Sequence, residues 1–212
     1  MISDTVGAGG KNRSQDVITV KRVLVENGVT IAQPGAGTMD AATIEAIRAF
    51  QREHGITPDT GRIAPRDRTI TTMWPVVYAN PTGRAVRGTD GFGSGAFGAS
   101  RGSRSHDGTD YVTVPPQNVT SPMTGRVTTI SAPYRDNNDL LGVQIEASNG
   151  TLCWVWYIQP ARGIVGSLVR AGQTVIGTAQ SLQERYPGIT NHVHVRIHRA
   201  DGTPVDPATL IH

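Results

Sequence analysis

The sequence predicts a multidomain α and β chain. A module of three short helices over residues 1–78 is followed by a linker over 79–95 and an antiparallel all-β domain over 96–212. Three observations carry this prediction. Helical spacing of apolar residues is confined to the first third of the chain. Short alternating runs punctuated by turn residues fill the remainder. Gly (25) and Pro (13) are frequent and aromatics make up only 5%, a composition suited to turns and short strands.

Residues 1–15 read as a lead-in loop. Asp16 is the expected N-cap of a first helix carrying Val17, Val20, Val23 and Leu24 on one face, with Asn27-Gly28 ending it. The second helix is clearest: Asp40 caps it, Ile44, Ile47 and Phe50 form its apolar stripe, and Gly55 supplies a left-handed stop. A third, shorter helix is expected from about Pro65, with Ile70 and Met73 facing inward. Gly91-Phe-Gly-Ser-Gly-Ala-Phe-Gly98 has the character of a linker passing into the second domain. Strands are expected at Tyr111–Val114, Arg126–Ser131, Val143–Ala147, Leu152–Ile158, Thr174–Ile176 and His192–Ile197, and Asn149-Gly150 signals a hairpin.

Composition narrows the function classes. Net charge is +3, nine basic against eight acidic residues before position 79 and eleven against nine after it. That dispersed balance does not argue for nucleic acid. The apolar runs are too short for the ~20 residues that span a bilayer, so membrane insertion is not expected. The start Met1-Ile-Ser-Asp has neither a basic segment nor an apolar core, so no secretory signal is expected there. A single cysteine, Cys153 in an apolar run, excludes an internal disulfide framework and is expected to be buried.

The chemistry concentrates in two clusters. His106-Asp107-Gly108-Thr109-Asp110 offers an imidazole and a carboxylate four residues apart, and His192-Val193-His194 places two imidazoles on one face of a strand. Imidazole nitrogen and carboxylate oxygen are zinc donors, and a catalytic zinc takes three protein ligands. Each cluster alone could be a turn or a polar strand; together they point to a metal site. Asp107 is expected to point away as a turn residue, and Arg101 and Arg104 either border a groove or solvate a loop.

Two resemblances extend this reading. Gly37-Thr-Met-Asp40, Thr43, Ala46-Ile47, Phe50-Gln51, Gly55-Ile56 and Asp59-Thr-Gly61 resemble the peptidoglycan-binding module of wall hydrolases. The lead-in Val6 to Arg13, with Asp16, Val17 and Val20, is similar to versions carried by phage and contractile-secretion proteins. Over most of residues 92–210 the chain resembles the lysostaphin/LytM-type zinc endopeptidases, which cut peptide cross-bridges in bacterial walls. The residues that carry it are Phe97-Gly98, Arg101-Gly102, His106 to Asp110, Ser121 to Val127, Val169 to Gly177, His192-Val-His194 and Gly202 to Pro207.

That resemblance implies His106, Asp110 and His194 as zinc ligands and His192 as base or transition-state stabiliser. Where the family has Tyr-x-His before a long loop, this chain reads Tyr157-Ile158-Gln159, and Gln159 is expected to stand in as a neutral donor. Tyr157 and His198 are alternative candidates. The implied activity is zinc-dependent cleavage of stem-peptide cross-links, D-Ala–diaminopimelate being the expected bond. Peptidoglycan is then the partner, and the expected setting is a type VI secretion effector or a phage lysin. An effector exported by a non-Sec route would act in the periplasm or on the wall of a target cell, with an immunity protein and a secretion-machine component as further partners. The alternative is an inert wall-binding protein of the same fold.

Overall fold

The computed structural model describes residues 1–134 and 139–212, which divide into two compact units, Met1–Val76 and Val77–His212. Among the described residues no helix is long and apolar enough to cross a membrane.

The first unit contains β1 (Val6–Gly7), α1 (Ser14–Glu26), α2 (Ala41–Glu53), β2 (Arg62–Ile63) and α3 (Arg68–Met73), with β1 paired antiparallel to β2. Val17, Val20, Val23 and Leu24 of α1 are fully buried with Ile47, Ile63 and Ile70. Burial of that face overrides the weak helix propensity of its valines. The expected cap of α1 is corrected: the helix begins at Ser14 with Arg13 in the cap position. Asp16, inside the first turn, accepts instead from Ser3 N (3.0 Å), Ser3 Oγ (2.8 Å) and Asp4 N (3.0 Å), tying down the lead-in. Gln51 is buried with both ends of its amide satisfied, donating to Arg62 O and Thr69 Oγ1 and accepting from Gly61 N.

Asp40 has two tasks. Its Oδ1 accepts from Thr43 N at 2.7 Å as the N-cap of α2, and its Oδ2 lies 2.8 Å from Nζ of Lys21, whose side chain is 1% exposed. The Lys21 bond holds the Asp40 carboxyl down at about 2. Asp40→Ala is expected to cost about 2–3 kcal/mol. About 1 is the cap; the remainder is a buried ammonium without its partner, discounted because Asp40 is half exposed. Asp40→Asn keeps the cap and isolates the charge loss. Because the folded carboxyl sits below its ordinary 3.8, its stabilisation is present above about pH 4 and fades as pH falls toward 2. Urea unfolding followed at 222 nm, where the helical unit dominates, should show a shallower decline in Asp40→Asn than in the wild type, since the carboxyls of Asp4 and Glu45 are also lowered.

The second unit is all antiparallel β. Its strands are β3 (Thr89–Asp90), β4 (Gly93–Ser94), β5 (Thr109–Val112), β6 (Asn118–Thr120), β7 (Gly125–Ser131), β8 (Gly142–Glu146), β9 (Leu152–Trp156), β10 (Ile158–Pro160), β11 (Leu168–Val169), β12 (Val175–Ala179), β13 (His192–His198) and β14 (Pro204–Val205). The main sheet runs β11-β7-β8-β9-β13-β14, with β5 also paired to β13; a smaller sheet runs β10-β12-β6. Asn149-Gly150 turns the β8–β9 hairpin, Gly150 taking φ 84. Along β13 the alternation is complete: Val193, Val195 and Ile197 are fully buried with Val143, Ile145, Cys153 and Val155. His192, His194, Arg196 and His198 take the opposite face. Burial pushes the Cys153 thiol well above its usual range, so it packs as a small hydrophobe.

Two segments differ from expectation. The stretch 79–95 was expected to be a linker, yet it pairs β3 with β4 and bonds Arg87 N to Asp110 O at 2.7 Å, within the second unit. The strand expected over 152–158 breaks at Tyr157, whose φ of 70 lies in the left-handed region and swings the chain from the main sheet into the smaller one.

Candidate metal site

His194 on β13 pairs with Asp110 on β5 and with Trp156 on β9, so the second histidine of His-x-His lies beside the carboxylate by strand register. His106 enters from the loop before β5. The three side chains meet in a tight triangle. His194 Nδ1 is 2.9 Å from Asp110 Oδ1, His106 Nε2 is 3.2 Å from the same oxygen, and the two nitrogens are 3.0 Å apart. All three residues are buried, and together they form a group able to hold a metal ion.

Neighbouring groups fix the orientation of each. His106 Nδ1 lies 2.9 Å from the Ala96 carbonyl, which can only accept, so Nδ1 carries the proton and Nε2 presents its lone pair to the triangle. His192 Nδ1 is likewise held by the Thr190 carbonyl at 2.7 Å, leaving Nε2 facing inward, 3.5 Å from Asp110 Oδ2. Trp156 stacks on the His194 ring at 5.3 Å and 20°. Beneath that ring lies Gly108, where a Cβ would fall on the Val195 carbonyl oxygen and 2.5 Å from His194 Nε2.

Arg87, 2% exposed, is a functional residue that reading the sequence missed. Its Nε and Nη2 bond Asp110 Oδ2 at 3.2 and 3.0 Å, and its Nη1 reaches the Gly93 carbonyl and Asp90 Oδ2, both at 2.8 Å. The guanidinium thereby occupies one carboxylate oxygen and leaves Oδ1 to the imidazoles. Only its place inside a Gly-rich stretch was visible in sequence, and that suggested a linker.

Asp107 is also corrected. It turns toward the site, 3.5 Å from His194 Nε2 and 3.3 Å from Arg196 Nη1, because the tight passage at Gly108 brings it under β13. Gln159 is not brought to the site. It is exposed on β10, paired with Thr178, and does not line the cleft. The positive φ at Tyr157 puts Tyr157 there instead, its ring edge-on to His192 at 5.3 Å. His198 lies two pleats past His194 against Trp154 and outside the cleft, so it is no substitute. Arg101 and Arg104 do border the cleft, whose volume is about 440 Å³.

The electrostatics suit a cation. Burial opposes ionisation of Asp110, but the imidazoles of His106, His194 and His192 packed around it hold its carboxyl far below the carboxylate range. Burial depresses His192, against the pull of Asp110, and keeps it neutral. Burial also works against a charged His194, yet Asp107 and Asp110 outweigh it and raise its basicity, while His194 draws Asp107 down to about 2. The donor set fits zinc: two imidazole nitrogens and one carboxylate oxygen, with the spare His106 nitrogen fixed by a carbonyl.

A buried His-Asp-His triangle at the mouth of an antiparallel β domain defines a candidate metal centre. By sequence, the chain belongs to the family of leukocyte cell-derived chemotaxin-2. It is 32% identical to the Bos taurus protein over 124 residues, 58% of this chain and 79% of that one. Myeloid protein 1 of Gallus gallus is 34% identical over 127 residues, 58% of this chain and 37% of that protein. Residues 13–63 match the family described as "Putative peptidoglycan binding domain". Among solved structures, a zinc containing peptidase from Vibrio cholerae shares 22% identity at a TM-score of 0.45, over 64% of this chain and 40% of that chain. Lysostaphin of Staphylococcus simulans shares 21% at 0.39, over 49% and 42%.

Proposed function

We propose that this chain is a zinc-dependent peptidoglycan endopeptidase that hydrolyses stem-peptide cross-links while its first unit holds the polymer. The observation that carries the reading is the triangle of His106, Asp110 and His194, with three donor atoms 2.9 to 3.2 Å apart and neutral His192 beside it. The match of residues 13–63 to a peptidoglycan-binding family supports the wall as substrate. Tethering raises the local concentration of scissile peptide without any new contact in the site.

His106, Asp110 and His194 would hold the metal. A zinc ion so bound polarises a peptide carbonyl and acidifies water near neutral pH. Arg87 fixes Asp110 so that Oδ1 is presented, and it neutralises part of the carboxylate charge, leaving the centre more electrophilic. His192, neutral with Nε2 unprotonated, is placed to accept a proton from the attacking water. Arg101, Arg104 and Arg196 at the cleft favour a carboxylate-bearing peptide, which supports the D-Ala–diaminopimelate cross-link as the bond cut. The resemblance of the lead-in supports a type VI secretion effector or phage lysin acting in the periplasm or on the wall of a target cell. An effector implies an immunity protein in the producer and a carrier component of the secretion machine.

A second reading, an inert wall-binding protein, is favoured by one observation: Gln159, which the resemblance puts where the peptidases carry a further histidine, is exposed on β10 and outside the cleft. One experiment separates the two. The zinc-loaded chain should release new amine ends from sacculi, and His194→Ala should abolish both zinc retention and turnover. Zinc retention without cleavage of any sacculus type would favour the inert protein.

A further inference from the structure

The geometry points to Tyr157 as a catalytic hydrogen-bond donor, its hydroxyl proton aimed into the cleft by a one-way chain running Arg185–Tyr186–Tyr134–Tyr157. This rests on the peptidase reading above and assigns a further role in the same site. Arg185 Nε lies 3.3 Å from the Tyr186 hydroxyl, which is 3.0 Å from the Tyr134 hydroxyl, which in turn is 2.6 Å from the Tyr157 hydroxyl. A guanidinium has donors and no acceptor. Tyr186 therefore accepts from Arg185 and donates its own proton to Tyr134. Tyr134 then has one proton of its own to place, and the Tyr157 hydroxyl is the acceptor beside it, which sets the direction of that bond. The Tyr157 proton is the one left over, and the cleft is where it can be given.

The rest of the chain holds that arrangement in place. The Arg185 guanidinium also sits 3.9 Å above the Tyr134 ring. The three tyrosines pack on the buried cluster of Leu140, Leu182 and Ile189. Tyr157 keeps a φ of 70, which a bulky residue adopts only under constraint, and Leu141 O anchors it by accepting from Tyr157 N (2.8 Å) and Ile158 N (3.0 Å). Its ring stands edge-on to His192 and 6.4 Å from His194, beside the atoms where a scissile carbonyl would develop negative charge. His192 presents an acceptor and Tyr157 a donor to the same small space. Peptide hydrolysis needs both, one for the proton of the attacking water and one for the oxyanion.

The test compares wild type, Tyr157→Phe and Tyr134→Phe as full zinc-loaded chains, with a cross-link peptide as substrate and a phosphinate pseudopeptide as mimic of the tetrahedral oxyanion. Tyr157→Phe should lose about 10²–10³-fold in kcat with KM unchanged, lose phosphinate affinity by a similar factor, and keep its zinc affinity against a competing chelator. Tyr134→Phe should show a smaller loss of the same kind, in kcat and phosphinate affinity but not KM. Unchanged phosphinate binding in an active Tyr157→Phe chain overturns the donor role alone, as does a loss of zinc in step with activity. A wild type that holds zinc but cleaves no peptide overturns the peptidase reading, and the donor role with it.

Discussion

Replacing Arg87 by methionine is expected to cost the zinc-free second unit about 3–5 kcal/mol, and the zinc-loaded unit distinctly less. The side chain is 2% exposed and serves as counter-charge to two carboxylates, Asp110 and Asp90. Asp90 is itself held at about 2, against its burial, by bonds from Thr190 N, Phe92 N and Arg87. Methionine fills most of the volume, so the loss measures electrostatics rather than a cavity. Buried Asp110 without its guanidinium must either stay desolvated as an anion or take up a proton, and both cost stability; partly exposed Asp90 adds less. A metal ion at Asp110 supplies part of the missing positive charge. Zinc should therefore raise the melting temperature of Arg87→Met more than that of the wild type. Calorimetry on the full chain, with the helical unit as internal reference, checks this. Equal zinc-induced shifts in both proteins would show that Arg87 only positions Asp110 and does not balance its charge.

How much of this was legible in the sequence follows from the range of each signal. Asp40, the Ile47–Phe50 stripe and Gly55 act within one helix, and the structure has them where local rules put them. Asn149-Gly150 and the two-residue period of β13 are equally local, so the hairpin and the shared face of His192 and His194 could be read directly. What failed depends on contacts distant in sequence or on unusual backbone. Arg87 meets Asp110 across 23 residues and has no motif around it. Asp107 faces the site because Gly108 lets the loop pass under β13. Gln159 followed from the Tyr-x-His pattern of the resembling peptidases, whereas the left-handed Tyr157 is itself the residue that reaches the cleft. A positive φ at a non-glycine is a tertiary constraint with no sequence mark.

The second large effect is expected from the smallest change, Gly108→Ala. Its φ is ordinary, so the loss would come from space rather than backbone strain. A methyl there would meet the Val195 carbonyl and the imidazole edge of His194 at once. The carbonyl belongs to an interior strand of the sheet, paired on both sides, and has little room to yield. The imidazole is confined by Trp156 stacked on it. Either the loop carrying His106 and Asp110 lifts away from β13 or His194 leaves the triangle, and both separate donor atoms now within 3.2 Å of one another. Zinc affinity should fall by at least the 10–100-fold seen when groups supporting a metal ligand are removed. The overpacking itself costs about 1–3 kcal/mol. Gly91→Ala, where a Cβ meets nothing within 4 Å, is the matched control and should leave both quantities unchanged. Isothermal titration with zinc in parallel with thermal melting reads the two effects separately. Wild-type affinity in Gly108→Ala would mean that the loop yields without moving its ligands, and that close packing under His194 does not set the geometry of the site.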